Sequence, residues 1–313
     1  MAGLAYSPGK AIVLARGQTF YSIPDTLIAD DGRSYIVGDH INSGGNAVVH
    51  ACYEKSTGDS YAVKFQVELR NRRRERFERE IQLLRELDDP HIISFVASGK
   101  VRGTKMVKQH NVRGRPLQNV NRVDDVPFVV LSLAIASLAE HARSPNQIAN
   151  ATYLGQFIGL ARALEKINCK ALHRDIKPEN ILVVGETWAI SDFGLCDLTV
   201  EGVDLSADDE RIGPAFWMSP EALNKQLGCG DLIGQGSDVF QLASVFWYVA
   251  CGRHPTGIVR RDDWKGPEHL YPVIERALLH TKERRFASSE AFKDALIEAV
   301  GLSNRSEHEV TPS

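Results

Sequence analysis

One stretch in the second half of the chain gathers side chains that could do chemistry. It reads His173-Arg174-Asp175-Ile176-Lys177-Pro178-Glu179-Asn180, and Asp192-Phe193-Gly194 follows it. Two apolar runs, 181–184 and 188–191, flank the turn-prone 185–187, which predicts a β-hairpin that folds Asn180 back toward Asp192. The stretch therefore combines a potential base, a cation and two metal-seeking groups, an arrangement suited to phosphoryl transfer.

These residues resemble the catalytic loop and metal-binding segment of eukaryotic-type (Hanks-type) serine/threonine protein kinases. The resemblance implies that Asp175 orients the substrate hydroxyl and accepts its proton, and that Lys177 reaches the transferred phosphoryl group of ATP. It also implies that Asn180 and Asp192 hold Mg²⁺, with Mn²⁺ as a substitute. Carboxylate and amide oxygens suit such a hard cation, which neutralises the charge of the triphosphate.

A second pair of charged residues lies upstream. Residues 61–65 predict a strand with Lys64 and Ala62 on one face, and residues 71–87 predict a helix. One face of that helix carries an apolar stripe of Phe77, Ile81, Leu84 and Leu87, and Glu80 falls within this stripe. A buried carboxylate is costly unless a cation pairs with it, so Lys64 is the expected partner. The pair resembles the kinase lysine and glutamate that hold the α- and β-phosphates; the alternative is that Glu80 reaches solvent past the stripe edge.

The segment before that strand occupies the place of the kinase loop that covers the phosphates, but it departs from the family pattern. Asn42 stands at the first glycine, Gly44 matches the second, Ala47 replaces the third and Val49 matches the valine over the adenine. Gly44 and its neighbour Gly45 still allow backbone N–H groups to approach phosphates. We expect a functional but stiffer loop, and a glycine-containing turn that binds no nucleotide is the alternative.

The resemblance also implies an adenine pocket with apolar walls from both predicted lobes. Ser132 and Leu133 align with the kinase hinge, whose backbone bonds the adenine, and Leu131 takes the gatekeeper position. Each of these residues could equally be ordinary core, and only their joint register with Lys64 and Asp175 favours a pocket. The residues expected to contact the nucleotide are Ile41, Asn42, Gly44, Gly45, Ala47, Val49, Ala62, Lys64, Leu131, Ser132, Leu133 and Leu182.

Length, charge and cysteine content fit this interpretation. A two-lobed kinase unit would use nearly all of the 313 residues. A net charge of -3 and a pI near 6.4 argue against a general nucleic-acid binder, and five cysteines without a CxxC pair predict a reducing compartment. The chain shows neither a long apolar run nor a convincing signal peptide, so we expect a cytoplasmic protein without membrane contact.

We expect an α+β bilobal protein-kinase fold. Its N-lobe, residues 34–131, is predicted to be β-rich with one main helix, and its C-lobe, residues 132–300, to be mostly helical. Residues 1–33 form an N-terminal extension in this scheme, with strands beginning only near residue 34. Residues 301–313 form a polar tail.

A basic insertion, residues 100–122, interrupts the predicted N-lobe between the strand-like runs 92–96 and 128–131. It contains no acid, and its cations are Lys100, Arg102, Lys105, Lys108, Arg113, Arg115 and Arg122. One interpretation is a solvated hairpin extension between adjacent strands. The other is a docking surface for an acidic partner, either a protein or, as the less expected case, nucleic acid.

Two helices and three further charged residues are expected in the C-lobe. Residues 153–167 and 238–251 predict the helices. Asp238 either bonds the catalytic-loop backbone, as the family implies, or is simply an acid favoured at a helix N-terminus. Glu221, in Ser219-Pro220-Glu221, resembles the family's Ala-Pro-Glu glutamate, and Arg285 resembles its buried partner, so we expect these two to pair.

The segment between Asp192 and Glu221 bears on regulation. In many kinases the arginine equivalent to Arg174 awaits a phosphate on this segment, for which Thr199 and Ser206 supply nearby hydroxyls. The acidic run 208–210 either provides a built-in carboxylate for Arg174 or is a solvated loop. Here Pro214 stands where serine/threonine kinases usually have the threonine of a Gly-Thr pair.

The resemblance predicts a protein kinase that phosphorylates serine or threonine in protein substrates, because tyrosine-directed kinases place other residues around Lys177. A pseudokinase-type nucleotide-binding scaffold is one alternative, although such proteins commonly lack a residue equivalent to Lys64, Asp175 or Asp192. A small-molecule kinase is another. Against it stands the Ser219-Pro220-Glu221 segment, which helps to build a peptide-binding shelf in the family.

Overall fold

The computed structural model describes residues 11–17, 19–44, 47–105, 122–142, 150–198, 216–229 and 231–309. The described residues form two compact units. The first contains the residues up to Arg85 together with Ser94–Leu133. The second contains Glu86–Ile93 and the residues from Ala134 onward.

The first unit is an antiparallel sheet with one long helix. Its elements are β1 (Ile12–Arg16), β2 (Thr19–Ile23), β3 (Thr26–Ile28), β4 (Ser34–Gly44), β5 (Ala47–Glu54), β6 (Ser60–Gln66), α1 (Asn71–Glu86), β7 (Phe95–Lys105) and β8 (Arg122–Ser132). The described strands lie in the order β1-β2-β7-β8-β6-β5-β4-β3. The strand predicted over 61–65 and the helix predicted from residue 71 are therefore both present.

Alternating side chains build the core of this sheet. Val63 and Phe65 point into the core from β6, while Phe128 and Val130 do so from β8, and all four are fully buried. Gly99 on β7 allows this packing, because a Cβ there would lie 2.8 Å from the ring of Phe128. The glycine thus makes room for the largest side chain in its neighbourhood.

The expectation that strands begin near residue 34 is wrong. The strands β1, β2 and β3 precede that point and extend both edges of the sheet. Leu14, Tyr21, Ile23 and Leu27 are at most 1% exposed and belong to the same core cluster as Phe65. Much of the presumed extension is therefore structural, because it completes the apolar core of the first unit.

The strands around the basic insertion are longer than predicted. β7 and β8 pair from Ala97 and Val130 out to Lys105 and Arg122, so both ends of the insertion are strand residues. Residues 106–121, which include Lys108 and Arg113, lie outside the described residues. The docking role of the insertion stays a prediction.

The second unit is mostly helical. Its strands are β9 (Ala136–Ser137), β10 (Ala171–Leu172), β11 (Ile181–Val184), β12 (Thr187–Ile190) and β13 (Asp197–Leu198). Its α-helices are α2 (Leu138–Ala142), α3 (Asn150–Asn168), α4 (Pro220–Gln226), α5 (Gln235–Cys251), α6 (Tyr271–Ala277) and α7 (Ser289–Glu309). Short 3₁₀ helices span Pro178–Asn180, Arg261–Asp263, Glu268–Leu270 and Lys282–Arg284.

Aromatic packing joins the long helices of this unit. Phe157 of α3 stacks on Phe246 of α5 with ring centroids 3.8 Å apart, and Phe246 lies 6.1 Å from Phe292 of α7. The helix α7 continues to Glu309, so a helix occupies part of the segment that was expected to be a polar tail. None of the helices in the described part of the chain is long and apolar enough to cross a membrane.

Two neighbouring residues test whether the N-terminal strands belong to the core. Leu27 is 0% exposed and Ile28 is 67% exposed. We expect Leu27→Ala to lower the free energy of unfolding by about 2–5 kcal/mol, because it leaves a cavity in the core. Ile28→Ala should change it by less than about 0.5 kcal/mol. Urea denaturation of both variants makes the comparison, and equal stability of the two would contradict a structural role for β3.

Candidate active site

The structure brings Lys64 and Glu80 together. Lys64 lies on the face of β6 opposite the buried Val63, and its Nζ is 2.6 Å from Oε1 of Glu80 on α1. The Glu80 side chain is 3% exposed, so the alternative in which it reaches solvent is wrong. The buried stripe of α1 differs slightly from the prediction, because Leu83 is buried where Ile81 is only partly so.

Asp238, near the start of α5, holds the backbone of the predicted catalytic loop. Its carboxylate has no exposed surface. It accepts hydrogen bonds of 2.8 Å from the backbone N–H groups of His173 and Arg174 and from the amide of Asn168. Gln241, one turn along α5, accepts from the backbone N–H of Ile176 at 3.0 Å. The predicted role of Asp238 is therefore confirmed, whereas the sequence alone gives no signal for Asn168 or Gln241.

Asp175 is 5% exposed, and two side chains hold its carboxylate. Nζ of Lys177 donates to both carboxylate oxygens at 3.1 Å, and Nδ2 of Asn180 donates to Oδ2 at 2.8 Å. Burial raises the pKa of Asp175, although the nearby Lys177 opposes the shift. A carboxylate with a raised pKa is a stronger proton acceptor once ionised.

The predicted hairpin sets Asn180 beside Asp192. Ile181 on β11 pairs with Ile190 on β12, and the backbone N–H and the hydroxyl of Ser191 donate to the Asn180 carbonyl at 2.8 and 2.9 Å. The next residue, Asp192, has a left-handed backbone with φ 62°. The pKa of Asp175 is raised first by burial, and the charge of Asp192 adds to the same effect.

The oxygens available at this point fit a hard divalent cation. Asn180 uses its amide nitrogen for two bonds, to the carboxylate and to the backbone carbonyl of Asp175. Those bonds fix the amide so that its oxygen is the atom offered to a metal, and Asp192 adds an exposed carboxylate. Such a donor set suits Mg²⁺ or Mn²⁺ better than a softer metal.

Comparison with known proteins identifies the family. Residues 35–296 match the sequence family described as the protein kinase domain. The chain belongs to the protein kinase domain family. Among curated relatives, calcium-dependent protein kinase 31 of Arabidopsis thaliana is 24% identical over 247 residues, which cover 76% of this chain and 46% of that protein. Death-associated protein kinase 2 of Mus musculus is 27% identical over 238 residues, covering 71% of this chain and 55% of that protein.

The kinase domain spans about half the length of these relatives. A mutant of the PknI kinase domain from Mycobacterium tuberculosis, solved by crystallography, matches with a TM-score of 0.57 at 20% sequence identity. The match covers 85% of this chain and 95% of that one. The predicted α+β protein-kinase fold is confirmed.

In the kinase domain, the segment predicted to cover the phosphates is the hairpin of β4 and β5. Asn42 pairs with Val49 and Gly44 with Ala47, while Gly45 lies outside the described residues. Ala47 is 6% exposed and Ile41, farther down β4, is 48% exposed. A hairpin fits both the covering loop and the turn that binds no nucleotide, so contact with nucleotide stays a prediction.

The remaining residues predicted to contact the nucleotide belong to strands of the first and of the second unit, or directly follow one. In the first unit, Ala62 on β6 pairs with Leu131 on β8, and Lys64 pairs with Val49 on β5. Ser132 ends β8, and its backbone N–H bonds the Ser94 carbonyl at 3.1 Å. Leu133 directly follows β8. In the second unit, Leu182 lies on β11 between Ser137 and Ala189.

The arginine of the catalytic loop already has a carboxylate partner. Nε of Arg174 donates to the Leu195 carbonyl at 2.8 Å, and its Nη1 lies 3.2 Å from Oδ2 of Asp197. Pairing of β10 with β13 sets Asp197 opposite Leu172 and so next to the loop. No sequence pattern points to Asp197. The acidic run 208–210, the expected source of a built-in carboxylate, lies outside the described residues along with Thr199, Ser206 and Pro214.

Glu221 and Arg285 form the predicted buried ion pair in the second unit. The Arg285 side chain is fully buried, and Ser237 donates to the other oxygen of Glu221 at 2.5 Å. Burial alone would raise the pKa of Glu221, yet the hydrogen bonds from Arg285 and Ser237 lower it. The pair anchors the start of α4, where Ser219 caps the helix by accepting from the Ala222 N–H.

The pH dependence of phosphate transfer tests the link between Lys177 and Asp175. Only ionised Asp175 accepts a proton, so activity falls as the pH drops through its pKa. Because Lys177 opposes the raised pKa, Lys177→Met should move the acid limb of the kcat/KM profile to higher pH and lower the maximal rate. Lys170→Met, which breaks a surface pair with Glu86, is the control. An acid limb that stays in place would contradict Asp175 as the titrating base.

The bond between Arg174 and Asp197 leads to a prediction about phosphorylation. Because the guanidinium already contacts a carboxylate, Thr199→Ala combined with Ser206→Ala should keep kcat within about twofold. Asp197→Asn removes a compensating charge beside a buried arginine, and we expect about a tenfold lower kcat. Steady-state rates of the three proteins make the comparison. Loss of activity in the double alanine variant alone would show that Arg174 depends on a phosphate.

Proposed function

We propose that this kinase domain transfers the γ-phosphate of ATP to serine and threonine hydroxyls of protein substrates. The observation that carries the proposal is the buried Asp175 carboxylate, held by Lys177 and Asn180 in a loop whose backbone is bonded to Asp238. An acceptor fixed in this way suits the deprotonation of an incoming hydroxyl. The names of the relatives, which are protein kinases, support a protein substrate.

Asp175 would act first in the reaction. It would accept a hydrogen bond from the substrate hydroxyl, turn the oxygen toward the γ-phosphorus and take the proton as the new bond forms. Lys177 lies against the same carboxylate at 3.1 Å, and its charge would stabilise the negative charge that builds up on the transferred group. The two side chains therefore need to stay in contact throughout the step.

Asn180 and Asp192 would hold Mg²⁺, and Mn²⁺ would serve in its place. The bound metal would supply neutralisation of phosphate charge. The role of Asn180 is to keep its amide oxygen oriented, which it does by donating from its nitrogen to Asp175. The metal ligand and the base are thereby tied together, so displacement of either would disturb the other.

Lys64 would bind the α- and β-phosphates. Glu80 keeps the ammonium group in place at 2.6 Å, and the cation compensates for the burial of the Glu80 carboxylate. The residues named above on β4, β5, β6, β8 and β11 would contact the rest of the nucleotide. In the first unit, Lys64 pairs with Val49 and Ala62 with Leu131, so these four residues lie side by side on the strands β5, β6 and β8.

We also propose the lobe boundaries given above, 34–131 and 132–300. The same proposal includes a cytoplasmic location and an acidic partner for residues 100–122. The seven cations of the insertion support an acidic partner, and the net charge of -3 and pI near 6.4 of the whole chain argue against a general nucleic-acid binder.

Three variants test the proposed reaction. We expect wild-type protein with Mg²⁺ and ATP to phosphorylate a generic basic protein on serine or threonine. Asp175→Asn and Asp192→Ala should each lower the rate at least about 100-fold, because each removes a group that acts on the transferred phosphoryl group. Asp262→Asn, which changes an exposed carboxylate in the same unit, should leave the rate unchanged. Melting temperatures of all four proteins establish that they are folded.

The products of this assay separate the proposal from its alternatives. ATP binding without transfer to any acceptor would indicate a nucleotide-binding scaffold. Transfer to sugars or aminoglycosides but not to protein would indicate a small-molecule kinase. Either result would overturn the proposed function.

A further inference from the structure

The last turn of α1 is tied to the N-terminal segment through a buried hydroxyl. Ser98 on β7 is 5% exposed. Its Oγ accepts from Nη2 of Arg85 at 2.7 Å and donates to Oδ2 of Asp30 at 3.0 Å, while the backbone N–H of Asp30 bonds the Ser98 carbonyl at 2.8 Å. Arg85 belongs to α1, and Asp30 follows β3. One serine thus joins the helix to the segment that follows β3.

A second tie lies at the other end of the helix. Thr19 on β2 donates its hydroxyl hydrogen to the Glu68 carboxylate at 2.9 Å. Glu68 belongs to the short connection from β6 to α1, and the buried Gln66 donates to its carbonyl at 2.8 Å. Arg73, in the first turn of α1, lies 3.9 Å from the same carboxylate. The position of Glu68 therefore influences where α1 begins.

The helix α1 needs such ties because its own sequence does little to stabilise its start. Its first turn has no acidic residue and contains Arg72, Arg73 and Arg74. Cations at a helix N-terminus oppose the helix dipole and destabilise that end. Contacts with neighbouring elements must then determine where the helix lies, as is general for helices in proteins.

The N-terminal strands also reach the strand that carries Lys64. Leu14 of β1 and Tyr21 and Ile23 of β2 belong to the same core cluster as Phe65 of β6 and Val67 just after it. The segment 12–30 is therefore linked to the elements that carry the Lys64–Glu80 pair. It reaches the strand of Lys64 through the apolar core, and the helix of Glu80 through the hydrogen bonds of Thr19 and Asp30.

We propose that the N-terminal strands are a positioning device for phosphate transfer. They hold α1 at both ends so that Glu80 meets Lys64, and Thr19, Asp30 and Ser98 are positioning residues that act through that pair. This inference rests on the proposed function for its effect on activity. Its structural part, that the ties restrain α1, stands independently of any reaction.

The test combines a variant that cuts both ties with a variant of the pair itself. Thr19→Val with Asp30→Ala removes the Thr19 hydroxyl of one tie and the Asp30 carboxylate of the other, which also lies 3.7 Å from Nη2 of Arg85, and we expect kcat/KM for ATP to fall about tenfold. In a Glu80→Gln background the same double change should cause no further loss, because the ties act through Glu80. Thr19→Ser, which keeps the hydroxyl, should retain wild-type kcat/KM. Asp31→Asn, whose carboxylate bonds Arg33 next to the same turn, is the matched control and should also retain it.

Hydrogen exchange supplies a readout that does not require catalysis. Amide hydrogens of α1 should exchange at least about tenfold faster in the variant without ties than in wild type or Asp31→Asn, while those of α5 stay unchanged. Unchanged exchange in α1 would overturn the inference, and so would an equal loss of kcat/KM with and without Glu80. If exchange accelerates in α1 but even the wild-type protein transfers no phosphate, the positioning device stands and the proposed function fails.

Discussion

The catalytic loop depends on one buried carboxylate, that of Asp238. A charge without solvent contact is tolerated only when strong donors surround it, and here two backbone N–H groups and the amide of Asn168 supply them at 2.8 Å. Two of those donors belong to consecutive residues, so the carboxylate dictates the backbone path through His173 and Arg174. Arg174 has φ 65°, a left-handed conformation that is unfavourable for an arginine. The bonds to Asp238 hold it there and thereby aim the next side chain, Asp175.

Two of the buried ion pairs, Lys64–Glu80 and Glu221–Arg285, have different roles. In the first unit, Lys64 keeps 14% of its side chain exposed, which leaves the ammonium accessible to a ligand. In the second unit, Arg285 is completely enclosed and also bonds the Gly236 carbonyl at 3.0 Å. The open pair is suited to binding, whereas the closed pair fixes the chain around Glu221. Solvent access, more than the chemistry of the partners, separates the two roles.

The sequence is most informative where chemistry and local pattern coincide. The loop from His173 to Asn180 is contiguous, and the hairpin after it has apolar runs around a glycine turn, so both could be predicted. Glu80 could be paired with Lys64 because an acid within an apolar helical stripe demands a cation. Asp197 and Gln241 gave no such signal, because each becomes relevant only when a distant element packs beside the loop. The strands before residue 34 were missed because they are short, and their register comes from the edges of a sheet built from residues far along the chain.

The N-terminal strands also affect how this domain can be divided. The family match begins at residue 35, yet Leu14, Tyr21, Ile23 and Leu27 are almost fully enclosed by the sheet that follows. A fragment cut at the family boundary would retain every residue of the catalytic loop. It would also uncover the apolar side chains of Phe65 and its neighbours and leave the strands β4 and β7 with open edges, a combination that promotes aggregation. Residues that carry no kinase signature therefore cover the apolar side chains and the strand edges that the family match leaves open.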